Sequence, residues 1–130
     1  MSKTFSQRSI KAMIGVHPDL VKVAYRALEL CDSDFTVIEG VRTLEKQREY
    51  FANGASKTMK SYHLLHEDGF GHAIDIYPYY DGSVQCEAPY AKFKEISVAM
   101  KSAAKELGVT ITWGGDWKSF QDTPHYQIEV

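Results

Sequence analysis

Cysteine is scarce in this 130-residue chain, and the two that occur, Cys31 and Cys86, stand in unrelated contexts. With no C-x-x-C pair, neither a cysteine zinc site nor a disulfide framework is indicated. Two buried thiols are expected, as in a chain made in a reducing compartment. An excess of one charge is missing too. The formal net charge of −2 offers no basic field for a phosphate backbone, so nucleic acid is not an expected partner. No stretch approaches the roughly 18 apolar residues of a spanning helix, and residues 1–12 lack the apolar segment of a signal peptide or anchor. Membrane insertion is therefore not expected. Repeats, low-complexity tracts and linkers are also absent, which leaves one domain over residues 1–130, long enough to bury a core without staples.

What is present is ordered by apolar period. A short helix is expected over 6–13 with Ser6 as N-cap, and a second over 18–31 that starts on Pro18. Leu20, Val23, Ala24, Ala27 and Leu28 give the second helix one apolar face. Residues 35–41 read as a buried strand, and 43–52 as a helix that stops at Asn53-Gly54. Residues 55–71 show no period and form a long loop, a kind of segment often functional. A strand over 72–79 precedes a turn at Asp81-Gly82. A helix over 91–107, with Phe93, Ile96, Met100, Ala103, Ala104 and Leu107 as its stripe, ends at Gly108. Strands over 109–113 and 125–130 close the chain. The pattern is α+β, with helices packed on a small antiparallel sheet.

Five histidines, His17, His63, His66, His72 and His125, carry the main chemical signal, because four lie in segments that also hold aspartates. In the strand from His72, alternation puts Ala73, Asp75 and Tyr77 on one face and His72, Ile74 and Ile76 on the other. A carboxylate in an apolar strand is costly unless it is paired, hydrogen-bonded or metal-bound. Asp75 is therefore either a metal ligand or the partner of an arginine such as Arg42. In the last strand His125, Gln127 and Glu129 share a polar face, while Tyr126, Ile128 and Val130 face the core. Asp122, three residues before His125 and held by Pro124, is well placed to take a proton from water. His72 faces away from Asp75 and is not expected as a ligand; His17, before Pro18, is expected to be structural. Tyr77, Tyr79 and Tyr80 either line a cleft or simply favour a strand.

The strings Ser61-Tyr62-His63 and Gly71-His72-Ala73-Ile74-Asp75 resemble the S-x-H-x-x-G-x-A-x-D signature of D-Ala-D-Ala-type metallopeptidases, the LAS-superfamily branch that includes VanY-like carboxypeptidases and phage endolysins. The closing run from Trp113 through Gly114-Gly115-Asp116-Trp117 to Asp122-Thr123-Pro124-His125-Tyr126 resembles the C-terminal motif of phage L-alanyl-D-glutamate endopeptidases. Glu39-Gly40-Val41-Arg42-Thr43 resembles their G-x-R-T segment. These pieces stand in order over residues 35–130.

The resemblance implies a LAS/hedgehog-like fold and a zinc ion held by His63, Asp75 and His125 with a fourth position open. It implies Asp122 as general base and Arg42 as the group that polarises the scissile carbonyl, against a structural ion pair for Arg42. Ser61, Asp116 and Trp113 are the expected substrate contacts, with capping of the turn the other reading of Asp116, and Trp113 and Trp117 either wall the cleft or pack in the core. One departure stands out: the family's first histidine precedes the aspartate by seven residues, whereas residues 64–70 add about five here. His63 keeps the Ser-x-His context, and His66 stays a rival ligand. The implied activity is cleavage between L-Ala and D-Glu of peptidoglycan stem peptides by a monomeric endolysin. It would be made without its own export signal and reach the wall in the periplasm through a separate pore. The alternatives are a D,D-carboxypeptidase and a non-catalytic wall-binding module.

Overall fold

The computed structural model describes residues 4–55, 61–119 and 121–130; Met1 to Lys3, the start of the loop expected over 55–71 (residues 56–60) and Phe120 lie outside them. Helix α1 spans Gln7–Ala12, with the Ser6 hydroxyl accepting from the Ser9 backbone N–H. Helix α2, Pro18–Leu30, buries the five residues of its expected stripe. The His17 side chain caps it, Nδ1 accepting from the Asp19 N–H at 3.1 Å, the structural part expected of that residue. Full burial of a leucine such as Leu20 is worth about 1.5–3 kcal/mol, so this stripe anchors the helix far more firmly than its cap does.

Strand β1 is Asp34–Glu39, helix α3 Leu44–Ala52, strand β2 Ala73–Tyr80 and the short β3 Ser83–Val84. Helix α4 runs over Tyr90–Leu107, strand β4 over Ile111–Trp113, a 3-10 turn over Gly114–Asp116, and strand β5 over His125–Ile128. The expected turn at Asp81-Gly82 joins β2 to β3 with both residues at positive φ, 53° and 78°. The sheet has the order β1-β2-β5-β4, all pairs antiparallel, with β3 added on β2. This is the expected α+β architecture. Helices α2 and α4 pack on each other, and one core cluster joins them to Ile74, Ile76, Tyr126 and Ile128 on one sheet face.

The opposite face carries the polar residues. Register places Asp75 directly across from His125 on one side and from Glu39 on the other. A break in register between Val37 and Glu39 sets that second pairing. Of the two cysteines, Cys31 is buried as expected, but Cys86 is exposed: it lies in the turn segment after β3, where no core reaches it.

Candidate metal centre and active site

Each residue of the polar face is held by its backbone surroundings. His63 is 2% exposed and sits in a turn whose N–H donates to the Ser61 hydroxyl at 3.1 Å, while its carbonyl accepts from the Arg42 N–H at 2.9 Å. Its Nδ1 donates to the Gly40 carbonyl at 2.8 Å, so Nε2 is the free nitrogen, 3.3 Å from Asp75 Oδ1. His125 is held through Nε2 by the Gln127 side-chain oxygen at 2.8 Å, and its Nδ1 lies 3.5 Å from the same Oδ1. That oxygen is buried without a hydrogen bond. One ligand atom from each of His63, Asp75 and His125 lies within 4.8 Å of the others. Two imidazole nitrogens and an orphaned carboxylate oxygen, converging on one small space, make a donor set that a divalent cation fits.

The charges of these residues act strongly on one another. Burial pushes the Asp75 carboxyl up, but the flanking rings of His125 and His63 outweigh it and hold the group well below the ordinary carboxylate range. Burial lowers His125, yet Asp75, then Gln127 and Asp122, raise it above an ordinary histidine. Asp122 is half-buried, and burial together with the Asp75 charge lifts its pKa despite His125, His63 and Arg42 nearby. A carboxylate made more basic beside a cation site suits proton transfer. Tyr77, on the Asp75 face, is pushed up to about 12 by burial and then by Asp75, so its hydroxyl stays a neutral donor.

Asp122 rests on a closely fitted turn. Its N–H donates to the Gly114 carbonyl at 3.1 Å, its carbonyl accepts from the His125 N–H at 3.1 Å, and Trp113 Nε1 donates to the Thr123 carbonyl at 2.7 Å. A β carbon on Gly114 would run into the Asp122 carbonyl oxygen. Gly114→Ala is therefore expected to destabilise the protein by about 1–3 kcal/mol, as overpacking does, and to lower hydrolysis more than metal binding. Thermal melting checks this, and an unchanged melting temperature would contradict the fit.

The remaining expected residues divide. Arg42 Nε donates to Glu39 Oε1 at 2.9 Å, and its Nη2 pairs with the same oxygen. Its Nη1 meets the buried Gln47 side chain at 2.7 Å, and Tyr50 lies under the guanidinium at 4.7 Å. Arg42 is thus tied into an ion pair with Glu39, and its charge also acts on Asp122. Ser61 braces the His63 turn and touches Arg42 Nη1 at 3.4 Å. Asp116 is exposed and pairs with Lys101 at 2.7 Å. Trp113 is 1% exposed and stacks with Tyr126 in the core, so it has no face free for a substrate. The tryptophan beside the site is Trp117, whose ring centroid lies 5.2 Å from that of His125.

His66 stands apart from Asp75. Its ring stacks on His72 at 3.7 Å, and His72 Nε2 bonds Asp68 Oδ2 at 2.7 Å. Sequence reasoning missed Glu39 as the partner of Arg42, though the two stand only three residues apart; its place opposite Asp75 depends on the irregular register in β1.

Residues 1–129 match the phage L-alanyl-D-glutamate peptidase family. The chain belongs to that family. It is 38% identical over 125 residues to the L-alanyl-D-glutamate peptidase of Escherichia phage T5, covering 94% of this chain and 87% of that protein. The crystal structure of the Serratia marcescens L-Ala D-Glu endopeptidase ChiX superposes with a TM-score of 0.86 at 39% identity, covering 98% of this chain and 91% of that one. The D,D-dipeptidase VanXYg, at 18% identity and a TM-score of 0.51 over 87% of this chain and 50% of its own, shares the fold.

Proposed function

We propose that the chain is a zinc-dependent peptidoglycan endopeptidase that hydrolyses the L-Ala–D-Glu bond of stem peptides, with His63, Asp75 and His125 holding the ion. The observation that carries this reading is the convergence of two imidazoles on the orphaned Asp75 Oδ1 in a member of that peptidase family. A nitrogen–nitrogen–oxygen donor set suits zinc. His63, Asp75 and His125 would hold the ion, which would supply Lewis-acid polarisation of the scissile carbonyl and a more acidic water. Asp122 takes the proton from the attacking water and passes it to the leaving amine. Arg42, with its guanidinium fixed by Glu39 and Gln47, supplies positive potential where the oxyanion develops. Trp117 lines the site beside His125.

In this proposal the protein acts as a monomer at the cell wall and reaches it through a membrane pore made by another protein. Among the described residues no helix is long and apolar enough to cross a membrane.

The test is digestion of purified cell walls before and after zinc removal. Chelation is expected to stop the release of amino groups, and zinc to restore it. Mass spectrometry of the products should show stem peptides that begin at D-Glu. Products shortened only by a terminal D-Ala would mean a D,D-carboxypeptidase, and intact stems with zinc present would leave only wall binding.

A further inference from the structure

Strand β5 carries His125 and Gln127 on the polar side of the sheet, Glu129 directly follows the strand, and the three are bonded in series. His125 Nε2 meets Gln127 Oε1 at 2.8 Å, and Gln127 Nε2 donates to Glu129 Oε1 at 2.7 Å. The Tyr62 hydroxyl reaches Glu129 Oε2 at 3.5 Å from the other side. A side-chain amide can face either way with little change of shape, so on its own Gln127 could offer His125 an oxygen or an NH2 group. Glu129 removes that freedom. A carboxylate only accepts, so the amide nitrogen must face Glu129 and the amide oxygen must face His125. An amide oxygen also only accepts, so Nε2 of His125 carries the hydrogen. In the neutral ring, Nδ1 then turns its lone pair toward Asp75.

We infer that Glu129, acting through Gln127, is a positioning residue that sets the tautomer of His125 and keeps Nδ1 open to a cation. The inference rests on the reading of His63, Asp75 and His125 as metal ligands and adds to it the side chains that prepare one of them. His63 needs no such device, because its Nδ1 faces the Gly40 backbone carbonyl, which cannot exchange a donor for an acceptor. The two histidines therefore differ in what holds them ready. With the acceptor-only carboxylate at 129 replaced by an amide, which can face either way, Gln127 is free to turn and donate to Nε2. The imidazole hydrogen then moves to Nδ1, against Asp75 Oδ1, where it blocks the site.

The experiment uses the full chain and reads two quantities. The first is the His125 tautomer of metal-free protein, from long-range nitrogen–proton correlation spectra in mildly alkaline solution. The second is zinc affinity by competition with a chromophoric chelator. The unaltered protein is expected to show the Nε2–H form. Glu129→Gln should shift His125 toward Nδ1–H and weaken zinc binding about tenfold, the low end for loss of an outer partner. Adding Gln127→Glu to that variant puts an acceptor-only group against Nε2, and should restore both the Nε2–H form and the affinity. Retention of the Nε2–H form and full affinity in Glu129→Gln would overturn the inference, as would a loss that Gln127→Glu fails to recover. If unaltered protein bound no zinc, the metal reading would fail, while the tautomer of metal-free Glu129→Gln would still decide the relay.

Discussion

Replacing Asp122 with alanine is expected to cut peptidoglycan hydrolysis by about 10²–10⁴-fold while zinc affinity stays close to that of the unaltered protein. The two halves of this expectation have separate physical grounds. Asp122 is not in the group of converging ligand atoms, so its loss removes no donor from the cation. Its carboxylate feels Asp75, His125 and His63 together, which sets it near the centre without making it part of it. Burial and the Asp75 charge make it a stronger base than a free aspartate, and that is the property alanine deletes. Asp122→Asn sharpens the comparison: it preserves size and leaves the backbone bonds to Gly114 and His125 in place, yet it cannot accept the proton. Both variants should lose hydrolysis alike. Retention of hydrolysis within a few fold of normal, or loss of zinc from either variant, would remove Asp122 from the role of base.

Side-chain period made much of the framework legible in the sequence. The i, i+3, i+4 stripe of α2 is buried as read, and alternation along β2 and β5 separates Asp75 and His125 from Ile74, Ile76, Tyr126 and Ile128. Those faces depend only on local geometry, which a pattern of residue types records. What the pattern does not record is register across strands. Glu39 stands opposite Asp75 only because β1 breaks step after Val37, whereas its ion pair with Arg42, three residues on, is a local contact. The two tryptophans of the Trp-Gly-Gly-Asp-Trp run are equivalent in composition, yet the 3-10 turn between them sends Trp113 into the core and leaves Trp117 beside His125. The two-residue strand β3 is too short to show any period. The series His125-Gln127-Glu129 is visible as one polar face, but its hydrogen-bond order depends on side-chain placement that the pattern does not record.

The insertion after His63 leads to the second large effect. His63→Ala is expected to weaken zinc binding on the order of a thousandfold, and His66→Ala to leave it within roughly a few fold. A full ligand set supplies about 10–16 kcal/mol in structural zinc sites, and one of three protein donors carries a corresponding share. His63 Nε2 is 3.3 Å from Asp75 Oδ1, and the ring is pinned by the Gly40 carbonyl. The His66 ring instead lies flat on His72, with Nε2 at 3.3 Å from the Tyr62 carbonyl. The extra residues fold back on themselves through His66 N–H to the Phe70 carbonyl at 2.8 Å, and Leu65 bridges to Gly71. The loop thereby closes without drawing His63 away from the sheet. Chelator competition on both variants measures the difference, with thermal melts to show that each is folded. A folded His63→Ala that keeps its zinc while His66→Ala loses it would reverse the assignment. The inserted loop would then have to unstack His66 from His72 and swing it across to Asp75 when metal binds.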